Sequence, residues 1–194
     1  MSTGTEQVAT GLTETYDFGP FDTVADIGGG DGTLLAAILR ENPRLRGILF
    51  DTAAGSAESS VRLGDAGVAQ RCRVEVGDFF ARVPAGAQLY LLKSVVHDWD
   101  DDRAATILGH CRSVIPDEGR LLLIEPVPPE TVDPEGGPGP YLTDLNMLVN
   151  VGGRERTRTD FEALLTRSGF TLTRIRSLPS PQVFQLIEAA PEPI

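Results

Sequence analysis

Short apolar runs alternate with amphipathic stretches along the first two thirds of the chain. Continuous or period-two apolar segments predict strands, and segments with apolar residues three or four positions apart predict helices. The predicted strands are residues 23–27, 47–50, 72–76, 89–92 and 121–124, and the predicted helices between them are residues 34–40, 57–63 and 102–114. This alternation predicts an α/β fold with a doubly wound parallel sheet, in which all strand carboxyl ends meet at one edge.

The last third of the chain follows a different pattern. A loop over residues 126–140 is rich in proline and glycine, and Pro179 and Pro181 separate the final two apolar segments. The elements predicted here are helices at residues 141–149 and 160–168 and strands at residues 170–175 and 182–188. Because a short connection suits an antiparallel pair, we expect a mostly parallel, Rossmann-like sheet of seven strands.

The first twenty residues show little apolar patterning. We expect residues 1–20 to form a polar lead-in, with a frayed helix near residues 6–14. Residues 21–194 then form a single domain, which is long enough to bury a substantial core.

Composition and charge exclude several classes of function. The net charge is −11, whereas nucleic-acid-binding surfaces and surfaces that bind anionic membranes are basic. The chain contains no segment typical of a transmembrane helix or a signal peptide, so we expect a cytoplasmic protein. Cys72 and Cys111 match no metal or disulfide pattern, and we expect no metal and two core thiols.

A glycine-rich turn follows the first predicted strand, at residues 26–32. Glycines such as Gly28 and Gly30 let the backbone approach a ligand closely and bring a helix amino terminus near it. The turn departs from the dinucleotide pattern at Thr33, and the acids Asp26 and Asp31 suit a cationic ligand better than a pyrophosphate. An NAD-dependent oxidoreductase is therefore disfavoured. The alternative is a tight strand-to-helix turn with no ligand.

Acidic residues end the next two predicted strands. Asp51 follows the second strand, where an acid in a doubly wound fold commonly binds a ribose. Asp78 and Phe79 follow the third strand and could hold an adenine amino group and cover its ring. Each acid alone is most often part of a turn or a helix cap. A glycine-rich turn followed by acids at the next two strand ends is a stronger signal and favours a nucleoside cofactor.

The fourth predicted strand ends in two residues that suit cofactor or proton chemistry. Lys93 is the only lysine of the chain, and His97 is one of two histidines. The unperturbed pKa of histidine suits proton transfer near neutral pH. The alternative is a surface turn that opens a helix and is capped by acids.

Taken in order, seven motifs resemble one family. They are residues 16–18, 26–30, 47–51, 77–80, 92–99, 123–126 and 152–157. The chain resembles the S-adenosylmethionine-dependent O-methyltransferases of the caffeate and hydroxyneurosporene type, which in bacteria act on polyketides and other aromatic metabolites. The resemblance covers residues 16–188 and implies methyl transfer from S-adenosylmethionine, leaving S-adenosylhomocysteine, to a hydroxyl group of such a small molecule.

The resemblance also implies roles for individual residues. His97 matches the general base, and Glu125 and Glu155 match two carboxylates that flank and orient it. Such carboxylates fix the imidazole tautomer and stabilise the imidazolium that forms when a phenol is deprotonated. The expected cofactor-binding residues are Asp26, Gly28, Gly30, Asp51, Asp78, Phe79 and Lys93, and the expected acceptor contacts are Asp98, Asp144 and Met147.

Three departures from the family pattern bear on function. Members usually carry an amino-terminal helical domain that dimerises and closes the acceptor pocket, and we expect this domain to be absent here. The segment after Asp51 lacks the usual Leu-Pro, and Asp31 stands where a smaller or neutral residue is commoner. A homodimer or a separate helical partner domain would complete the pocket. The alternative function is a cofactor-binding protein or fragment with little transferase activity.

Overall fold

A computed structural model describes residues 2–131, 139–179 and 184–193. Its seven strands form one sheet in the order β3-β2-β1-β4-β5-β7-β6, in which β7 runs antiparallel to both of its neighbours. The strands are β1 Thr23–Ile27, β2 Arg46–Asp51, β3 Cys72–Val76, β4 Leu89–Lys93, β5 Arg120–Pro126, β6 Phe170–Ser177 and β7 Phe184–Pro191. The helices are α1 Ser2–Thr15, α2 Thr33–Glu41, α3 Ser59–Asp65, α4 Asp101–Val114, α5 Gly139–Asn150 and α6 Arg158–Arg167. The predicted mostly parallel α/β sheet is confirmed. Residues 182 and 183 of the last predicted strand, and residues 132–138 of the proline- and glycine-rich loop, lie outside the described residues.

The sheet is covered on both faces by helices, which explains why its central strands are apolar without interruption. Along β5, Leu121 and Leu123 pack into one core layer with α4 and α6, whereas Leu122 and Ile124 pack into the other with α1 and α2. Parallel strands buried on both faces are typically continuous apolar runs. The polar side chains near the strand carboxyl ends therefore stand out as candidates for function.

Local sequence signals explain where two of the helices begin. The Asp100 side chain accepts a hydrogen bond from the Arg103 N–H at 2.8 Å and caps α4. Thr157 and Asp160 form a reciprocal capping box at the start of α6. None of the helices within the described residues is long and apolar enough to cross a membrane.

The order of the strands changes direction between β1 and β4, because the chain runs from β1 outwards to β2 and β3 and then returns to β4 on the other side of β1. Strands β1 and β4 are neighbours, with Asp26 opposite Leu91, and β2 lies on the other side of β1. The backbone N–H of Gly28 donates to Phe50 O at 2.8 Å, which ties the glycine-rich turn to the end of β2. In open α/β sheets this switch point is the place where ligands bind.

The helix predicted near residues 6–14 is present, but the prediction that it is frayed and part of a polar lead-in is wrong. Residues 2–15 form a continuous helix, α1, which packs against α2. Val8 and Leu12 are 0% exposed, and Tyr16, just beyond the helix, is also buried. These apolar residues recur every fourth position, but threonines and glycines between them weaken the pattern in the sequence. The first helix therefore belongs to the core of the domain.

The expectation of two core thiols is correct for only one of the cysteines. Cys111 is buried on α4, whereas Cys72 is half-buried at the start of β3. Strand β3 is an edge strand, and Val74 and Val76 on it are also exposed. Alternating residues in a sequence do not reveal whether a strand lies at the edge of its sheet.

We predict that removing a buried side chain from α1 destabilises the whole domain. Leu12→Ala should lower the free energy of unfolding by about 2–5 kcal/mol, because it opens a cavity among buried leucines of α2. Val61→Ala, in a side chain that is 67% exposed, is the control and should change the free energy by no more than about 0.5 kcal/mol. Urea denaturation measures both. Equal values for the two variants would mean that α1 is not part of the cooperative domain.

Candidate active site

The glycine-rich turn after β1 has a backbone that only glycine adopts easily. Gly28, Gly30 and Gly32 have φ angles of 72°, 57° and 82°. A Cβ on Gly29 would lie 2.4 Å from Leu49 Cδ1 and 2.8 Å from Asp26 Cγ, whereas a Cβ on Gly30 would meet nothing within 4 Å. The turn is therefore packed tightly on the protein side and open at Gly30.

Asp51 connects this turn to the end of β2. Its Oδ2 accepts the Gly30 N–H at 2.8 Å, and its Oδ1 accepts the Thr52 N–H at 2.6 Å. A Cβ on Gly55 would lie 2.0 Å from Oδ1, so the loop after β2 also closes on the carboxylate. The half-exposed carboxylate of Asp51 is thus held in place beside the glycine-rich turn.

Asp31, which departs from the family pattern, is neutralised within the protein. Its Oδ1 accepts the Thr33 N–H at 3.0 Å, and its Oδ2 lies 3.3 Å from Arg62 Nη2 on α3. Burial alone would raise the pKa of Asp31, but the hydrogen bonds from Thr33 and the charge of Arg62 outweigh it and lower the pKa.

Asp26 lies near the end of β1, and Lys93 ends the neighbouring strand β4; Asp26 is buried, whereas Lys93 is half-buried. Asp26 is 1% exposed, and its Oδ2 has no hydrogen-bond partner within the described chain. Burial raises the pKa of Asp26 to about 7, although the charge of Lys93 opposes this. Lys93 Nζ contacts Ser94 Oγ at 3.2 Å and lies 5.1 Å from the centre of the Phe184 ring, and burial lowers its pKa. An unpartnered buried oxygen at a switch point is suited to a ligand.

Asp78 and Phe79 follow β3, at the edge of the sheet that is formed by the strand carboxyl ends. Asp78 is exposed, and its Oδ1 accepts the Phe80 N–H at 2.8 Å. A Cβ on Gly28 would lie 3.7 Å from Phe79 Cε1, so this ring lies beside the glycine-rich turn. The ring of Trp99 is 6.1 Å from that of Phe79, measured between centroids, in an edge-on arrangement. The structure thus brings together the residues expected to bind the cofactor.

Glu125 anchors the turn that follows β4. The side chain is fully buried, and its Oε1 accepts the N–H groups of Val95 at 3.0 Å and Val96 at 2.8 Å. The preceding residue, Ser94, is the only non-glycine residue in the described chain with a positive φ, at 54°. A strained backbone of this kind persists only where surrounding contacts hold it.

His97 lies between two buried carboxylates. Its Nδ1 is 3.3 Å from Glu155 Oε1 and 3.4 Å from Glu125 Oε2, while its Nε2 is 3.6 Å from Asp98 Oδ1. With Nδ1 facing two carboxylates, the neutral ring carries its proton there and leaves Nε2 as a proton acceptor. The predicted residues His97, Glu125 and Glu155 are brought into one cluster.

In this cluster, burial and the neighbouring charges shift the pKa values of His97 and Glu125 in opposite directions. Burial lowers the pKa of His97, but the hydrogen bond that His97 donates to Glu155 and the charges of Glu125, Glu155 and Asp98 outweigh it, so the pKa is raised. Burial also raises the pKa of Glu125 to about 7, opposed by His97 and by the N–H groups of Val95 and Val96. The pKa of Asp98 is raised mainly by burial as well.

The residues expected to contact the acceptor are divided between the cluster and α5. Asp98 lies beside Nε2 of His97, and Asp144 on α5 accepts the Glu155 N–H at 2.8 Å. Met147 is half-buried on the same helix. Several apolar side chains of α5 are exposed by 53–74%, namely Leu142, Leu145, Leu148 and Val149. The histidine cluster is thus bordered by an exposed apolar helix face.

Arg156 belongs to the motif at residues 152–157, but no local sequence pattern indicates a role for it. Its side chain is 1% exposed, and its guanidinium donates to Val96 O and Trp99 O at 2.8 Å each. These carbonyls lie on either side of His97 in the chain. Because the partners are distant in sequence, local patterns could indicate only that an arginine lies between a glycine pair and a helix start.

The fold and the site define a class of protein. A glycine-rich turn, acids at successive strand ends and an aromatic ring at the switch point are typical of α/β domains that bind a nucleoside cofactor. The histidine held by two carboxylates at the same edge adds a group suited to proton transfer.

The chain belongs to the O-methyltransferase domain family, whose sequence profile matches residues 2–171. It is 50% identical over 190 residues to O-demethylpuromycin-O-methyltransferase of Streptomyces alboniger, a match that covers 98% of this chain and 50% of that protein. The crystal structure of LaPhzM superimposes with a TM-score of 0.87 at 45% identity, covering 96% of this chain and 55% of that chain. The family resemblance inferred from the motifs is therefore confirmed.

A third relative was solved with small molecules bound. NcsB1, an O-methyltransferase from neocarzinostatin biosynthesis, was crystallised with S-adenosylmethionine and 2-hydroxy-5-methyl naphthoic acid. It superimposes with a TM-score of 0.82 at 33% identity, covering 94% of this chain and 52% of that one. The chain thus spans about half the length of the relatives it matches.

We predict that the two acids of the glycine-rich turn affect stability with opposite dependence on pH. The folded state keeps Asp26 protonated up to about pH 7, whereas the unfolded chain releases this proton near its ordinary value of 3.8. Asp26 therefore makes the protein less stable as pH rises through this window. Asp26→Asn should increase stability relative to the wild type more at pH 8 than at pH 5.

Asp31→Asn is the matched control. The lowered pKa of Asp31 contributes stability that is present above its ordinary value of 3.8 and is lost as pH falls through the lowered value. The variant should be less stable than the wild type at pH 8, and the difference should shrink in acid. Urea denaturation at several pH values measures both. A parallel pH dependence for the wild type and Asp26→Asn would show that Asp26 is ionised throughout.

Proposed function

We propose that this chain is the cofactor-binding and catalytic domain of an enzyme that transfers a methyl group from S-adenosylmethionine to a hydroxyl group of an aromatic or polyketide-like small molecule. The observation that carries the proposal is the position of His97. Its Nδ1 faces two buried carboxylates, and its ring lies at the sheet edge that also holds the glycine-rich turn. An imidazole held in this way can take a proton from a hydroxyl group beside a bound cofactor.

The residues at the switch point fit S-adenosylmethionine. The turn is open at Gly30, and the unpartnered oxygen of Asp26 offers a buried acceptor that suits a cationic ligand. When bound, this cofactor supplies an electrophilic methyl group. The proposed contacts are Asp26, Gly28, Gly30 and Lys93 for the methionine end, Asp51 for the ribose, and Asp78 and Phe79 for the adenine.

His97 acts as the general base in this proposal. Its Nε2 accepts the hydroxyl proton while the hydroxyl oxygen acquires the methyl group, and Nδ1 keeps its own proton. Glu125 and Glu155 stabilise the imidazolium that results. Because their charges raise the pKa of His97, they also make the ring a stronger base.

The acceptor is proposed to bind between the histidine cluster and α5, in contact with Asp98, Asp144 and Met147. Asp98 Oδ1 is 3.6 Å from Nε2 of His97, so it borders the position from which a hydroxyl group can be deprotonated. The apolar side chains of α5 suit an aromatic ring. The bound naphthoic acid of NcsB1 supports an aromatic acceptor by similarity.

The exposed face of α5 supports a further contact. We propose that a helical domain, on the same protein or in the second copy of a homodimer, packs against Leu142, Leu145, Leu148 and Val149 and closes the acceptor pocket. Exposed apolar patches of this kind commonly mark interaction sites. The same face favours the second candidate function, a cofactor-binding protein with little transferase activity of its own.

We predict that two substitutions separate cofactor binding from proton transfer. Asp51→Ala should weaken S-adenosylhomocysteine binding at least about tenfold, because it removes charge-assisted hydrogen bonds to the ribose and releases the Gly30 N–H. His97→Ala should leave this binding unchanged and lower turnover by about 10²–10⁴-fold. Calorimetry and methyl transfer to a panel of phenols measure the two effects.

The pH profile provides an independent readout of the same base. Wild-type turnover should rise as His97 loses its proton, with an apparent pKa above the ordinary 6.5. In His97→Ala this limb should vanish. Full turnover in the His97 variant would refute the general base, whereas unchanged cofactor affinity in the Asp51 variant would refute only the ribose assignment.

We predict that the 194-residue chain alone binds the cofactor tightly but transfers methyl groups weakly. Supplying the helical domain of a full-length relative should restore turnover, because it covers α5 and encloses the acceptor. The same addition to the His97→Ala variant is the control and should restore nothing. Efficient, saturable methylation of a phenol by the chain alone would contradict the need for a covering domain.

A further inference from the structure

A short segment before α6, Gly153 to Arg156, packs on the turn that carries His97. A Cβ on Gly153 would lie 2.0 Å from His97 O, so the two backbones are in direct contact. The Arg154 N–H donates to the same oxygen at 2.9 Å, and the Glu155 side chain reaches Nδ1 of the ring. The histidine is therefore contacted by this segment through both its backbone and its side chain.

Arg156 connects this segment to the turn and to the start of α4. Its Nη1 donates to Val96 O and its Nη2 to Trp99 O, each at 2.8 Å, and its Nε and Nη2 donate to Asp101 Oδ1 at 2.9 and 2.7 Å. The guanidinium is buried, whereas the Asp101 side chain is about half-exposed. A buried charge is costly unless its hydrogen bonds are satisfied, so this geometry is tightly determined.

The turn depends on these outside contacts because its own hydrogen bonds are long. The Asp98 N–H donates to Val95 O at 3.2 Å, the upper end of the usual range, and the Trp99 N–H donates to Val96 O at 3.3 Å, just beyond it. The turn also begins at the strained Ser94. The charge-assisted bonds from Arg156 are shorter and stronger than the bonds within the turn.

We propose that Arg156 is a positioning residue, which holds the Val96–Trp99 backbone so that Nε2 of His97 points at the acceptor and Nδ1 stays between Glu125 and Glu155. Its effect on turnover rests on the proposed function, but its effect on the turn does not. A lysine cannot replace it, because one ammonium group cannot span two carbonyls and a carboxylate as the planar guanidinium does.

The test uses Arg156→Lys, with Arg158→Lys as the matched control. Arg158 is also an arginine of this region, but its side chain is exposed and pairs with Glu162 on the surface. Both variants keep their charge, so a difference between them reports geometry. If Arg156→Lys is too unstable to purify, Asp101→Asn weakens the same contact from its half-exposed side and should give smaller changes of the same sign.

Two signals report the turn without any need for turnover. Trp99 is the only tryptophan of the chain, so its fluorescence and its quenching by acrylamide follow this turn alone. The chain has two histidines. His110 lies on α4 with its Nε2 3.1 Å from Phe80 O, and it serves as the internal reference in an NMR titration. Glu125, Glu155 and Asp98 are the charged groups that face His97.

In Arg156→Lys we expect greater acrylamide quenching of Trp99 and a fall in the pKa of His97 towards its ordinary value, with no change at His110. Turnover should fall by about 10–100-fold, because small displacements of a catalytic group have effects of this size. Cofactor affinity should be unchanged. Arg158→Lys should behave as the wild type in all four measurements.

The outcomes that overturn the proposal are distinct from those that overturn the function. An unchanged His97 titration and unchanged quenching in Arg156→Lys, or equal effects in Arg158→Lys, would refute positioning by Arg156. If the wild type transfers no methyl group, either alone or with the helical domain of a full-length relative, the proposed function fails. The titration and the quenching would still decide the role of Arg156.

Discussion

The arrangement of the site depends on one buried carboxylate. Glu125 is the last residue but one of β5. It accepts the N–H groups of Val95 and Val96, while its other oxygen lies 3.4 Å from His97 Nδ1. A carboxylate without exposure to water is tolerated only when it is hydrogen-bonded or paired. Strand β5, the strained turn after β4 and the His97 ring therefore have to be in place together. The glycine-rich turn lies at the same edge of the sheet, formed by the strand carboxyl ends.

The parts of the structure that the sequence predicted well are those with strong local signals. Strands β4 and β5 are nearly continuous apolar runs, and they place Lys93 and Glu125 at their ends because parallel strands share one edge. Asp51 is likewise located by the end of β2, and His97 by its position four residues after the end of β4. The roles proposed for them rest on the family motifs, since an acid at a strand end is by itself as consistent with a turn.

The parts that were missed depend on contacts between distant residues. Arg156 has its partners 55–60 positions earlier in the chain, and no local pattern indicates them. The exposure of Cys72 follows from the position of β3 at the sheet edge, which depends on strand order. Helix α1 was underestimated because its buried residues, among them Val8 and Leu12, are separated by threonines and glycines.

The position of β7 has a consequence for the newly made chain. This strand is the last of the sheet in sequence, yet it lies between β5 and β6. Until residues 184–191 leave the ribosome, β5 is paired only with β4, and one edge of an apolar strand is open. The strand that carries Glu125 is therefore completed late, and until then its open edge can pair with another chain.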